Sequence, residues 1–107
     1  MNVTKNPIDI SIIITAHKEG LIAHKTMLSV FQNIEQLDKD ISTEVIVGLD
    51  APDVTTARYF DSYLDDSRVT VVQSNFGEPS QNRNNAIEHA NGAYVLLVDG
   101  DDLLSAN

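Results

Sequence analysis

Four short apolar runs punctuate the chain, at residues 10–14, 45–47, 69–72 and 94–98. They are rich in β-branched residues and almost continuous, which is how strands covered on both faces of a parallel sheet read. Between them the apolar positions change period. Over 21–37, Met27, Val30, Phe31, Ile34 and Leu37 recur at spacings of three and four, which predicts a helix with one core-facing stripe. A second helix is expected over 55–64, with Ala57, Phe60 and Leu64 on one face and Asp53 or Thr55 as its N-cap. A third is expected over 79–90, with Pro79 in its first turn and Gly92 just past its end.

Strand and helix thus alternate from the first run to the last. That order predicts an α/β fold with three layers, helices on both faces of a mostly parallel sheet. At 107 residues the chain is one domain or part of one. Met1 leads into polar residues rather than a signal-peptide pattern. No apolar run approaches the roughly 20 residues that cross a bilayer. The expected location is cytoplasmic, peripheral to the membrane in a full-length protein.

Charge narrows the partners. Sixteen acidic residues against seven basic ones give a net charge of -9, which disfavours a nucleic-acid or anionic-membrane surface. Asp61, Asp65 and Asp66 read as a solvated helix end. The absence of cysteine excludes a disulfide framework, a thiolate nucleophile and a zinc–thiolate site. His17 and His24 straddle a loop-to-helix junction at a separation that is not a metal-ligand spacing, and His89 suits a helix C-terminus. The glycines form neither a phosphate loop nor a dinucleotide fingerprint.

Parallel strands bring their carboxyl ends to one edge, where ligands of open α/β sheets bind. The segments expected there are 15–19, 49–53, 73–77 and 99–102. The last holds Asp99, Asp101 and Asp102 around Gly100. Three carboxylates this close repel each other unless protons or a cation intervene. Mg²⁺ or Mn²⁺ typically takes one or two such carboxylates together with substrate phosphates. The competing reading is an acidic first turn of a helix, which Asp102 before Leu103 and Leu104 fits. Asp50 reads equally as an acceptor for a base or ribose and as a turn cap. Arg83, near the start of the third helix, can face a phosphate beside the helix N-terminus or pair with Glu88.

Taken in order, these segments resemble glycosyltransferase family 2. The apolar strand running into Thr15-Ala16-His17-Lys18 is similar to the family's opening strand, and 44–51 is similar to the strand that ends Asp-Asp-Gly-Ser. Asn75-Phe76-Gly77, Arg83-Asn84 and Ala90-Asn91-Gly92 match its middle series, and 94–104 looks like its Asp-x-Asp segment. The resemblance implies a GT-A-type fold and metal-assisted, inverting transfer of a sugar from a nucleotide-diphosphate sugar to an acceptor hydroxyl. The acceptor would be a glycan, as in polysaccharide biosynthesis, a lipid-linked glycan or a protein. Asp50 would bind the base with Thr15 and His17 lining the same pocket, Arg83 would sit near the nucleotide, and Asp99 would approach the ribose. Asp101 would coordinate Mn²⁺ or Mg²⁺.

On this reading residues 1–107 are the N-terminal, donor-binding part of the transferase domain. The catalytic base and the acceptor surface would lie beyond Asn107, leaving this chain inactive by itself. The strand at 94–98 would then lie at a sheet edge and promote self-association. Leu49 in place of an acid, Pro52 in place of serine, Lys18 in place of asparagine and His17 in place of an aromatic ring depart from the family pattern. Two other readings compete: a nucleotidyltransferase, although 15–20 is not its Gly-rich basic loop, and a non-catalytic nucleotide-binding module.

Overall fold

The computed structural model describes residues 8–17 and 21–99. Its strands are β1 (Ile10–Ala16), β2 (Thr43–Asp50), β3 (Val69–Ser74) and β4 (Tyr94–Asp99), and its helices are α1 (Leu21–Glu35), α2 (Val54–Asp61) and α3 (Pro79–Ile87). All pairings are parallel, in the spatial order β3-β2-β1-β4. The expected alternation is therefore present in full.

Side chains alternate across the sheet, and both faces are covered. Ile12, Ile14 and Ala16 of β1 join Val45, Val47 and Leu49 of β2 against Ala23, Met27 and Val30 of α1 and Phe60 of α2. On the other face Ile13 and Ile46 pack with Ala86 of α3. Two buried faces explain why β1 and β2 read as unbroken apolar runs. Ile13, Ile14 and Ile46 are each exposed by 1% or less, and burying such side chains stabilises by about 1.5–3 kcal/mol apiece.

The helices are shorter than their periodicity predicts, and for one reason. The N–H of Leu37 bonds to the carbonyl of Ile34, that of Leu64 to Asp61, and that of Ala90 to Ile87. These three-residue closures tighten each helix end, and they preserve an apolar spacing of three after the α-helix has stopped. Leu37 and Leu64, predicted to extend the core stripes, are instead 37% and 65% exposed. The inner face of α2 carries Thr56 and Phe60, with Tyr59 and Tyr63 packed alongside. Asp53 caps this helix, its Oδ1 accepting the Thr56 N–H at 2.9 Å.

Of the acidic cluster after α2, Asp61 and Asp65 are solvated as expected, whereas Asp66 pairs with Arg68 at 3.0 Å. The Arg68 guanidinium lies 4.5 Å above the Phe31 ring. Its hydrogen bonds hold the Asp66 carboxyl below the ordinary aspartate range. The exposed position of the pair keeps its stabilising effect small.

β4 departs from the two-faced burial its composition predicts. It lies at the sheet edge beside β1, and Tyr94, Val95, Leu96 and Leu97 are 74%, 45%, 46% and 49% exposed. At its start, a polar knot ties the α3–β4 connection to the sheet. The Glu44 carboxylate accepts the buried Ser11 hydroxyl at 2.6 Å and the Asn91 N–H at 2.7 Å, while the Gly92 N–H donates to Ser11 Oγ at 2.8 Å. Among the described residues no helix is long and apolar enough to cross a membrane.

Candidate functional site

β2 and β3 lie on one side of β1 and β4 on the other, so the strand order turns back at β1. Helices α1 and α2 cover one face and α3 the other. A crevice beyond the carboxyl ends of β1 and β4 is where such a sheet takes its ligand. In register, Thr15 is level with Gly48 on one side and Asp99 on the other, and Asp50 lies two residues past Gly48. Thr15, His17, Asp50 and the backbone of Asp99 therefore share one edge of the sheet. Asp101 and Asp102 lie outside the described residues, as does Lys18.

Asp50 is the organising residue of this edge. Buried at 5% exposure, its Oδ1 accepts the N–H groups of Phe76 at 2.6 Å and Gly77 at 3.0 Å, and its Oδ2 accepts that of Glu78 at 3.0 Å. Burial alone raises the carboxyl pKa. The Gly77, Glu78 and Phe76 donors, with the positive charge of His17, outweigh that effect and hold it below its ordinary value. Gly77 makes this grip feasible by adopting φ 67°, a left-handed conformation that side chains disfavour. The turn-capping and ligand-accepting readings of Asp50 are compatible. Three accepted bonds leave one of roughly four carboxylate acceptor positions for something else.

The backbone of Asp50 reaches the neighbouring loop as well. Its carbonyl accepts a hydrogen bond from His17 Nδ1, and because a carbonyl only accepts, the Nδ1 proton is fixed there. Ala51 follows with φ 45°, its N–H donating to the Ser74 carbonyl at 2.9 Å. The family resemblance gives glycine to this place, and the left-handed region costs alanine about 1 kcal/mol. Changing Ala51→Gly should raise the free energy of unfolding by about 0.5 kcal/mol, the relief of strain exceeding the entropy glycine adds to the unfolded chain. Urea denaturation of the two proteins measures this, with an unchanged or lower midpoint as the contrary result.

Position 49 explains one departure from the family pattern. Leu49 points away from Asp50, into the core under α1 and α2, at 1% exposure. An apolar side chain suits that place.

At the start of α3, the Glu78 carboxylate accepts the N–H groups of Ser80 at 2.9 Å and Gln81 at 3.2 Å. These amides, expected to be free for a phosphate, are thus satisfied by the chain itself. Arg83 is half-buried and forms no ion pair among the described residues, so the expected alternative of a bridge to Glu88 is not realised. Sequence reasoning missed this cap, although glutamate immediately before proline at a helix start was a visible signal. It also missed Asn82, whose side chain is 3% exposed and donates to the Gly48 carbonyl at 3.0 Å.

The description of glycosyl transferase family 2 matches residues 11–107, all but the first ten positions. The chain belongs to this family. Among solved structures it is similar to S. aureus TarS 1–349, at 26% identity and TM-score 0.78 over 92% of this chain and 29% of that one. The complex of the same TarS fragment with UDP gives a TM-score of 0.79, and the complex with UDP-GlcNAc 0.78, again at 26% identity and 92% of this chain. This chain spans 29% and 28% of those two. No curated protein matches it. The three-layer sheet is accordingly of the GT-A type, and the family is one of nucleotide-sugar-dependent glycosyltransferases.

Among the described residues no group of three or more histidine, aspartate or glutamate side chains is arranged to hold a metal ion. The metal expectation rests on Asp101, outside that set.

Proposed function

We propose that this chain is the donor-binding half of a metal-assisted, inverting glycosyltransferase. The observation that carries the reading is the meeting of Thr15, His17, Asp50 and Asp99 at one sheet edge, where the strand order turns back. The remaining acceptor position of Asp50 suits an N–H donor on a nucleobase, with Thr15 and His17 beside it. Arg83, which forms no ion pair among the described residues, offers its guanidinium to the diphosphate, and Asp99 an oxygen to the ribose. TarS, seen with UDP and UDP-GlcNAc, supports a uridine nucleotide as the first ligand to try.

Asp101 would hold Mn²⁺ or Mg²⁺ through the hard oxygen donors those ions prefer. Bound there, the ion supplies neutralisation of the departing diphosphate. In the displacement, the acceptor hydroxyl loses its proton to a general base as its oxygen bonds to the anomeric carbon and the nucleoside diphosphate leaves. That base and the acceptor surface belong to polypeptide beyond residue 107. The acceptor is a glycan, a lipid-linked glycan or a protein, and the reaction runs at the cytoplasmic side. Calorimetric titration of UDP, GDP and ADP, each with and without Mn²⁺, tests the donor reading. UDP should bind, about tenfold more weakly without Mn²⁺ or after Asp101→Ala. Absence of binding by every nucleotide, or affinity indifferent to Mn²⁺ and to Asp101, refutes the reading.

Among the described residues no strand pairs with the outer edge of β4, which supports a second element, self-association of the chain. A largely apolar strand at a sheet edge recruits another strand. Light scattering at high concentration should show a mass above that of the monomer, and Leu96→Lys should return it to the monomer. A wild-type chain that stays monomeric at every concentration would dispose of this idea.

A further inference from the structure

The contact between Asn82 and Gly48 is unusual for the middle of a protein core. Asn82 is 3% exposed, its Nδ2 donates to the Gly48 carbonyl at 3.0 Å, and its buried Oδ1 has no hydrogen-bond partner among the described residues. A Cβ at Gly48 would meet that Oδ1 at 2.8 Å and the Ala86 Cβ at 3.2 Å. The missing side chain of Gly48 is therefore the space that the Asn82 amide fills. An apolar side chain would fill it without an unsatisfied acceptor, so packing alone does not account for an amide here. What the amide adds is direction.

That direction bears on the loop gripped by Asp50. Asn82 lies one helical turn after Glu78 and donates its backbone N–H to the Glu78 carbonyl at 3.1 Å. The Glu78 N–H in turn is bonded to Asp50 Oδ2. Gly48 and Asp50 are two residues apart on β2, about 6.6 Å along the strand. One turn of helix rises about 5.4 Å. The two spacings nearly match, so the first turn of α3 is pinned to β2 at both ends: Asn82 on Gly48, and the Phe76–Glu78 amides on Asp50. Ala86 packs the later part of α3 against Ile13 and Ile46, and the two polar attachments fix the rotation of its first turn, with Arg83 the next residue along.

We propose that Asn82 is a positioning residue for the nucleotide edge, fixing through the Gly48 carbonyl the pose in which the 76–78 loop meets Asp50 and Arg83 faces its ligand. This inference rests on the donor-binding reading for its ligand but not for its geometry. The test uses Asn82→Leu, which keeps the volume and removes both amide groups, and Asn82→Ala as a second variant should the first pack badly. Amide hydrogen exchange at Phe76, Gly77 and Glu78 is compared with exchange at Ile13 and Ile46 in the core strands, and UDP with Mn²⁺ is titrated in parallel.

Protection at 76–78 should fall about tenfold while the strand amides hold, and the UDP dissociation constant should rise about tenfold. Unchanged protection at 76–78 overturns the proposal. So does an equal loss at every amide, or a failure of both variants to fold, since each marks Asn82 as merely structural. If the wild-type chain takes up no UDP while protection at 76–78 still falls selectively, the donor reading fails and the positioning role stands.

Discussion

Changing Asp50→Ala should lower the stability of the chain by about 3 kcal/mol and abolish measurable nucleotide binding. The variant strips the Phe76, Gly77 and Glu78 N–H groups of their acceptor at once. The loop can recover part of the loss by opening to water, which is why the cost is not three full desolvation penalties. Asp50→Asn should be milder in stability, since one oxygen remains for two of the three donors, but its NH₂ would face the third. Urea unfolding and nucleotide titration read the two effects separately.

Acid should narrow the difference between wild type and Asp50→Ala. The folded-state pKa of Asp50 lies below the ordinary value of 3.8, so the unfolded chain takes up this proton more readily than the folded one. The stabilisation is fully present above the unfolded pKa and is lost as pH falls through the depressed folded value. A gap between the two proteins that stays constant from pH 6 to pH 3 would contradict the assignment.

At the opposite end of the sheet, Gly92→Ala should be at least as damaging, by about 3 kcal/mol or more. A Cβ there would stand 2.6 Å from Ser11 Oγ, 2.7 Å from Ser11 N and 2.9 Å from the Ile10 carbonyl carbon. Two of those atoms belong to the backbone of the central strand β1 and cannot move without breaking the ladder that joins it to β2 and β4. The Ser11 hydroxyl, held between Gly92 and Glu44, would lose its place as well. Loss of the folded baseline in far-ultraviolet circular dichroism at 25 °C, or a large drop in the urea midpoint, is the expected result. Wild-type stability in this variant would mean that the α3–β4 connection sits elsewhere.

These two residues show what the chain makes legible and what it hides. Period and composition disclose β1, β2, α1 and the alternating order, because burial on both faces of a parallel sheet leaves an unbroken β-branched run. The same signal misleads at β4, where Tyr94–Leu97 reads as a covered strand although, among the described residues, β1 is its one neighbouring strand. No local pattern reports which strand takes the edge. Helix ends are overrun because a three-residue closure keeps the apolar spacing alive past Glu35 and Asp61. At the candidate site, Asp50 was visible from its place after a buried strand. Its partners at 76–78 were not, since they are backbone amides some 26 residues away, and no residue type announces them. The Asn82–Gly48 pairing was hidden for a related reason: a glycine and an asparagine signify nothing until the fold brings them face to face.

Asp50 binds His17 through its main chain and the 76–78 loop through its side chain, so three connections at the sheet edge are laced together by one residue. A pocket built this way has little freedom left to surrender when a ligand arrives. Its association should resemble a key entering a rigid lock, with a modest entropic penalty, and discrimination among nucleobases should show up in how quickly each one escapes.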